Sequence, residues 1–343
     1  MTEQLTPDEI ALYDRQIRLW GADTQLRLRS AKLLIINLAG VGTEIIKNLV
    51  LGGLNSIEIL DSSVVKDEDF ATQFFLPNDD SIVGKPKLPL VISAIKELNP
   101  RVNLLINTTK LEDVSEDYFK NFDLVVATEL TKIEILYVNT LTRAQGIPLY
   151  VAGLHGMFGY IFTDLIKHES RVESEMGNQP RTANTKINGV KTISKVEIKE
   201  ADKKEVVTIV DAFVPISEIF TSSRLPSQLT KRQLKRLSAA LPLVLSLFEL
   251  ERLSNPEDVV DIEKLKAALL KVCSVLGLPE SVITDQYLHF FSNQAFAEFA
   301  PVAAILGGIL AQDVIQYLGK KESPINNCLI LDAHQSEIPI YYL

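Results

Sequence analysis

Two cysteines, one tryptophan and four histidines are all that a chain of 343 residues contains of these types. Cys273 and Cys328 form no Cys-x-x-Cys pair, which argues against a zinc site or a disulfide framework. His155, His168, His289 and His334 lack the spacing of metal ligands, so no metal site is expected. There is no Gly-x-Ser-x-Gly elbow and no Walker-type loop. Positive charge is also short, with 35 Lys and Arg against 44 Asp and Glu and a net charge of -9. That balance argues against nucleic acid or an anionic membrane as the main partner. The longest apolar helix candidate, residues 300–310, is too short to span a bilayer and meets Gln312 and Asp313. The polar, acidic start lacks the features of a signal or transit peptide, and an intracellular protein is expected. Cys273, among Val272, Val275 and Leu276, reads as a small core residue rather than a nucleophile. What remains is an ordinary globular composition, 46% hydrophobic and 23% charged, long enough for one large domain or two.

The chain is organised around residues 31–61. Residues 31–36 form a short apolar run, expected as a buried strand. Gly40 and Gly42 follow in a tight loop, and a helical pattern starts at once. Val41, Ile45, Leu49 and Gly52 share one face, with Glu44, Lys47 and Asn48 turned away. Residues 57–60 read as a second strand ending in Asp61, about 20 residues past the loop, where dinucleotide folds place a ribose-binding acid. The loop is incomplete, because Asn37 stands where its first glycine is expected. Asn tolerates a left-handed backbone, so the turn survives, but its side chain is expected to intrude on the anion's space. The two glycines either cradle a phosphate or simply pack helix against strand.

Upstream, Thr6, Pro7 and Glu9 predict a helix start with a capping box. Ile10, Tyr13, Ile17 and Trp20 give that helix one apolar face up to Gly21. Arg15 and Arg18 lie off that face, as a solvated pair would. Downstream, Phe74 and Phe75 beside Gln73 suggest a packed turn. A helix over 88–98, strands at 101–106, 122–127 and 148–153, and a helix over 133–144 predict a parallel sheet with helices on both faces. A further strand is expected at 160–163. Residues 167–221 are polar, with weak strand patterns at 192–198 and 206–210, and are expected to be mobile around 173–188. Helices are expected over 230–251, kinked at Pro242, over 259–276 and over 280–291. An apolar helix over 301–318, in which Gly307 and Gly308 permit close approach of another helix, and short strands at 328–331 and 338–342 complete the chain. The fold class is thus α/β, Rossmann-like, divided as 1–166, a polar and helical insertion over 167–295, and 296–343.

Several motifs in order carry a resemblance. Residues 13–21 (Tyr-Asp-Arg-Gln-Ile-Arg-Leu-Trp-Gly), the glycine loop, Gln73-Phe74, the Gly-Lys-Pro-Lys run ending at Lys87, and Asn99-Pro100 form the first group. Residues 123–128, 139–143, 147–153 and 299–308 form the second. Together they resemble the enzymes that activate ubiquitin-like proteins, nearest to the small subunit of SUMO-activating enzymes, over most of the chain except the polar insertion. The resemblance implies an adenylation fold working beside a second one that binds ATP and Mg2+, adenylates the modifier's C-terminus and carries the acceptor cysteine.

Departures from the competent pattern place this chain on the inactive side. Residues 69–74 replace both asparagines and the arginine that hold ATP phosphates in a competent half. Leu130 stands in the position of the magnesium-binding Asp, and Thr131 in that of its neighbouring Asn; Mg2+ needs hard oxygen donors. Asp61 and Lys87 match the ribose acid and the phosphate lysine, so Gly40, Gly42, Asp61 and Lys87 are remnant positions. Arg15 matches the arginine that reaches into the partner's ATP site, while Arg18 stays a solvated helix residue. The implied partners are the large catalytic subunit of the SUMO-activating enzyme and SUMO, and the implied location is the nucleus. The inactive subunit of a NEDD8-activating enzyme, or a fragment of a fused ubiquitin-activating chain, is an alternative that the chain's length argues against. A self-sufficient adenylyltransferase of the sulfur-carrier type would call for an arginine, a Mg2+ Asp and commonly Cys-x-x-Cys pairs that are missing. Only Arg15 separates the reading from a binding scaffold without catalytic contribution.

Overall fold

The computed structural model describes residues 4–177, 181–199, 203–234, 237–253, 255, 257–279 and 283–343. The chain opens with α1 (Pro7–Leu12), α2 (Asp14–Trp20) and α3 (Ala22–Ser30). The capping box at Thr6 is present, its hydroxyl accepting from the Glu9 N–H and the Glu9 carboxylate from the Thr6 N–H. The single helix expected up to Gly21 is broken at Tyr13, which leaves helical geometry while i→i−4 bonds continue across it. Gly21, at φ 85°, then turns the chain into α3, a helix with too little apolar periodicity to have been legible.

Then come β1 (Lys32–Ile36), α4 (Gly40–Gly52), β2 (Ser56–Leu60), α5 (Lys87–Leu98), β3 (Asn103–Asn107), β4 (Leu124–Thr128), α6 (Lys132–Ala144), β5 (Leu149–His155) and β6 (Phe158–Asp164). The order of the main sheet is completed by two late strands, β11 (Cys328–Asp332) and β12 (Ile340–Tyr341), as β12-β11-β6-β5-β4-β1-β2-β3. Pairings from β5 through β3 are parallel, and those from β5 to β12 antiparallel. Alternation along β1 sends Leu33 and Ile35 to a core shared with α4, and Leu34 and Ile36 to the opposite core. Helices therefore cover both faces, as expected.

The polar segment is more regular than its composition suggests. β7 (Lys167–Glu175), β8 (Thr185–Lys186), β9 (Lys191–Lys199) and β10 (Lys204–Ala212) form an antiparallel sheet in the order β7-β10-β9-β8. The expectation of mobility around 173–188 is corrected at 173–175, which pair along β10, and at 185–186; residues 178–180 lie outside the described residues. Cross-strand ion pairs supply what apolar alternation does not: Glu173 meets Lys199 at 2.7 Å and Lys204 at 2.8 Å, and Arg171 meets Glu197 at 3.1 Å.

The helix expected over 230–251 is instead split. After α7 (Ser217–Thr221) and α8 (Leu225–Gln228) come α9 (Lys231–Leu234) and α10 (Ala240–Leu247), with 235–236 outside the described residues. Pro242 sits in the first turn of α10, where its missing N–H costs nothing, so it does not mark a kink in a longer helix. α11 (Ile262–Leu276) buries Cys273 as a core residue, and α12 (Asp285–Ser292) follows. α13 (Ala300–Gly319) runs past Gln312 and Asp313, and by length and composition it could cross a membrane. Here it is a core helix: it packs on α4 and α3, and its Asp313 accepts from the buried Tyr150 hydroxyl at 2.7 Å. Of its glycine pair only Gly307 is needed for packing. A Cβ there would lie 2.5 Å from Glu44 Cβ, whereas one at Gly308 meets nothing within 4 Å.

A closed glycine loop and an open arginine

The loop between β1 and α4 emerges at the carboxyl end of the parallel strands, where open α/β sheets bind ligands. Asn37 is left-handed, at φ 64°, so the turn does survive without its first glycine. Its side chain does not enter the anion space as expected; Nδ2 instead donates to the Thr128 carbonyl at 3.0 Å. The space before the first turn of α4 is taken by another group. Both carboxylate oxygens of Glu298, on the approach to α13, accept from the Gly40 N–H at 3.0 and 3.1 Å, and the Thr72 hydroxyl bonds to the same carboxylate. An anion at a helix N-terminus is stabilised by the exposed N–H groups and the dipole. Here the chain supplies that anion itself.

The two glycines serve this closure. A Cβ on Gly40 would stand 2.7 Å from Thr72 Cβ and 2.8 Å from a Glu298 oxygen; one on Gly42 would stand 2.8 Å from the Asn37 carbonyl. Both glycines thus allow close contacts within the chain.

The other remnant positions are likewise committed. Asp61 is buried, and its carboxylate accepts from the Leu38 N–H at 2.9 Å and the Ser63 N–H at 2.7 Å. The ammonium of Lys87 is paired with Asp69 at 2.8 Å, both side chains being nearly inaccessible. Asp69 also accepts from the Lys66 N–H, and Gln73 donates to the Leu38 carbonyl. Leu130 is buried in the core, and Thr131 is spent as the N-cap of α6 in a capping box with Glu134. No group of three or more His, Cys, Asp or Glu suited to a metal occurs among the described residues. The residues of this crevice therefore do not fit ATP and Mg2+: the phosphate place, the lysine and the metal position are all filled or apolar.

Beyond Leu130 lies a polar cluster that the sequence reading missed. Glu129, left-handed at φ 54°, accepts from the Leu154 N–H at 2.7 Å and pairs with Arg252 at 3.1 Å. Burial pushes its carboxyl up to about 7, the nearby Glu298 adding to the rise and Arg252 opposing it. His155 is pushed down to about 3 by burial and then by Arg252, so it is neutral, its Nδ1 accepting from the Phe296 N–H at 3.2 Å. These groups come from three separate stretches, and no local pattern links them.

Arg15 presents the opposite situation. It is exposed on α2 and makes no hydrogen bond or ion pair among the described residues. Arg18, three residues on, is held by Asp14 at 3.0 Å. The platform beneath Arg15 is firmly fixed. The Tyr13 hydroxyl accepts from Asn99 Nδ2 at 2.9 Å, and its ring lies so close to Gly53 that a Cβ there would be 2.5 Å away. Asn99 also donates to the Val50 carbonyl at 2.9 Å, Gln16 to the Leu51 carbonyl at 3.0 Å, and Arg29 pairs with Glu9 at 2.8 Å. Two of the sequence motifs, residues 13–21 and Asn99-Pro100, thus meet in one joint. The motif at 139–143 is structural too: Asn139 and Arg143 both bind Asp164, at 2.9 and 2.6 Å.

A Rossmann-like sheet with a glycine-loop crevice and an antiparallel extension defines an adenylation-type α/β protein. The chain belongs to the ThiF family, whose model matches residues 13–341. It is 42% identical over 344 residues to the DNA damage tolerance protein RHC31 of Saccharomyces cerevisiae, covering 99% of this chain and 98% of that protein. The DNA damage tolerance protein rad31 of Schizosaccharomyces pombe is 32% identical over 340 residues, covering 99% and 98%. SUMO-activating enzyme subunit 1 of Homo sapiens is 30% identical over 342 residues, covering 96% and 93%.

Proposed function

We propose that the chain is the non-catalytic subunit of a heterodimeric SUMO-activating enzyme. In this reading the large subunit binds ATP and Mg2+, adenylates the SUMO C-terminus and takes it onto its own cysteine. The present chain stabilises that subunit and supplies Arg15 in trans. The observation that carries the proposal is the closed loop: the Gly40 N–H that would receive a phosphate is bonded to Glu298. A family member whose own carboxylate occupies the phosphate place is suited to act through another subunit. The near full-length similarity to SUMO-activating enzyme subunit 1 supports the choice of modifier. Arg15 has the chemistry the role requires. A guanidinium carries several donors for phosphate oxygens and offsets charge as pyrophosphate leaves.

ATP–pyrophosphate exchange with SUMO present tests this. The expected result is no exchange by the chain alone, exchange with the large subunit, and a loss of roughly 100-fold or more with Arg15→Ala, as for removal of one preorganised donor. Exchange by the chain alone would overturn the proposal. An unchanged rate with Arg15→Ala would reduce the chain to a scaffold.

A further inference from the structure

The polar cluster beyond Leu130 borders a cavity of about 270 Å3. Leu130, Leu247, Phe248, Leu250 and Phe296 give it apolar and aromatic walls, and His155, Tyr160 and Arg252 stand among them. The cavity lies where β4 and β5 end, and open α/β sheets bind ligands at such strand ends. His155 and Tyr160 are both buried, their rings stacked with centroids 5.8 Å apart. Neither the Nε2 of His155 nor the hydroxyl of Tyr160 has a hydrogen-bond partner among the described residues. The Nδ1 of His155 accepts from the Phe296 N–H, so the proton of the neutral ring sits on Nε2, which is therefore a donor. Burial, with Glu129 adding to it, keeps the Tyr160 hydroxyl protonated. Buried donors are normally met, so two unmet ones in one wall call for an acceptor.

We propose that this cavity binds a small uncharged molecule whose carbonyl oxygen accepts from His155 Nε2 and the Tyr160 hydroxyl. The site goes beyond the function proposed above and does not depend on it. Aromatic and leucine walls around a few polar groups suit an apolar body that carries one oriented oxygen. Charge selects the class. Arg252 is already spent on Glu129 at 3.1 Å and Lys132 on Glu249, while Glu251 adds a further carboxylate to the wall. A carboxylate ligand would thus meet no unpaired cation among the described wall residues, and an ammonium would face two donors. The volume falls below the roughly 300–1,000 Å3 of drug-sized sites, which limits the occupant to a single ring or a short chain. Arg252 is the yielding part of the wall. Its guanidinium lies over the Phe296 ring at 5.7 Å and its side chain is 37% exposed, so it moves aside as the oxygen reaches atoms that solvent does not touch.

The test titrates the full chain with acetophenone, with α-methylstyrene, which has a methylene in place of the carbonyl oxygen, and with benzoate, followed by NMR. Saturable binding of acetophenone is expected, with benzoate at least tenfold weaker. Tyr160→Phe is expected to weaken acetophenone about fivefold, as for one neutral hydrogen bond, and to leave α-methylstyrene within about twofold. The same variant is expected to melt no lower than the parent, since the lost hydroxyl has no partner. Leu250→Trp, which fills the cavity, is expected to abolish binding of both uncharged probes, with circular dichroism as the check on its fold. No saturable binding of acetophenone would overturn the proposal and leave the cavity to water. Equal losses for acetophenone and α-methylstyrene with Tyr160→Phe, or benzoate binding more tightly than acetophenone, would overturn it as well. Adenylation plays no part in these readouts, so the outcome is separate from the fate of Arg15.

Discussion

The glycine-loop crevice and the first two helices differ most plainly in where their charges are satisfied. In the crevice, Glu298, Lys87, Asp61 and Asp69 all find partners within the chain. On α2, Arg15 finds none among the described residues, although its support is fixed by three separate contacts. Internal pairing stabilises a fold and removes groups from chemistry. An exposed charge without an internal partner does the reverse. The crevice residues have thus become part of the structure, whereas Arg15 is left exposed on α2.

Lys87→Met is expected to sharpen the comparison most. It leaves the Asp69 carboxylate buried without its cation, at a cost of about 3–5 kcal/mol in urea denaturation. Adding Asp69→Leu is expected to restore most of this, apart from the bond to the Lys66 N–H. In contrast, Arg15→Ala is expected to change stability by less than about 0.5 kcal/mol while it lowers adenylation. A large stability loss with Arg15→Ala would break the contrast. Glu298→Ala leaves Gly40 and Thr72 without their acceptor and is expected to cost about 1.5–3 kcal/mol by thermal or urea unfolding. If that variant were as stable as the parent, the closed loop would not be a structural element.

The third comparison is of pH dependence. His155 has a folded pKa of about 3 against 6.5 for the free group, so the unfolded chain binds its proton first. Its contribution is therefore intact above about pH 6.5 and falls by about 1.4 kcal/mol per unit as the pH drops towards 3. Glu129, raised to about 7, and Asp313, raised to about 6, act in the opposite sense, losing stability as pH rises through those values. Total stability therefore mixes slopes, and the clean readout is the difference from His155→Gln. The parent is expected to lose ground to that variant steadily below pH 6.5, and a pH-independent difference would contradict the buried neutral imidazole. The last contrast is within the glycine pair of α13. Gly307→Ala is expected to destabilise by about 1–3 kcal/mol through overpacking on Glu44, and Gly308→Ala to stabilise by up to about 1 kcal/mol. Equal effects at the two positions would mean that α4 and α13 do not approach as described.

Much of the α/β frame was legible because its signals are local. The cap at Thr6, the apolar run before Gly40, and the stops at Gly21 and Asn99-Pro100 each lie within one turn or strand of what they control. The sheet of β7 to β10 was half missed because charged residues pair across strands that are distant in sequence, and alternation alone does not show which charge meets which. Arg15 and Arg18 could have been separated from the sequence: Asp14 lies four residues before Arg18, whereas no acid stands three or four residues from Arg15. No such signal existed for Glu298, which meets Gly40 across 258 residues.

The sequence by itself determined the strand–loop–helix unit and the capped first helix, since these depend on residue type and short-range periodicity. Only the tertiary structure decided that the Gly40 N–H is met from within, that Lys87 is paired with Asp69, and that Arg15, without a partner among the described residues, stands on a braced helix. Those outcomes depend on which side chains the folded chain brings within hydrogen-bonding distance, and that is a property of the packing of distant segments.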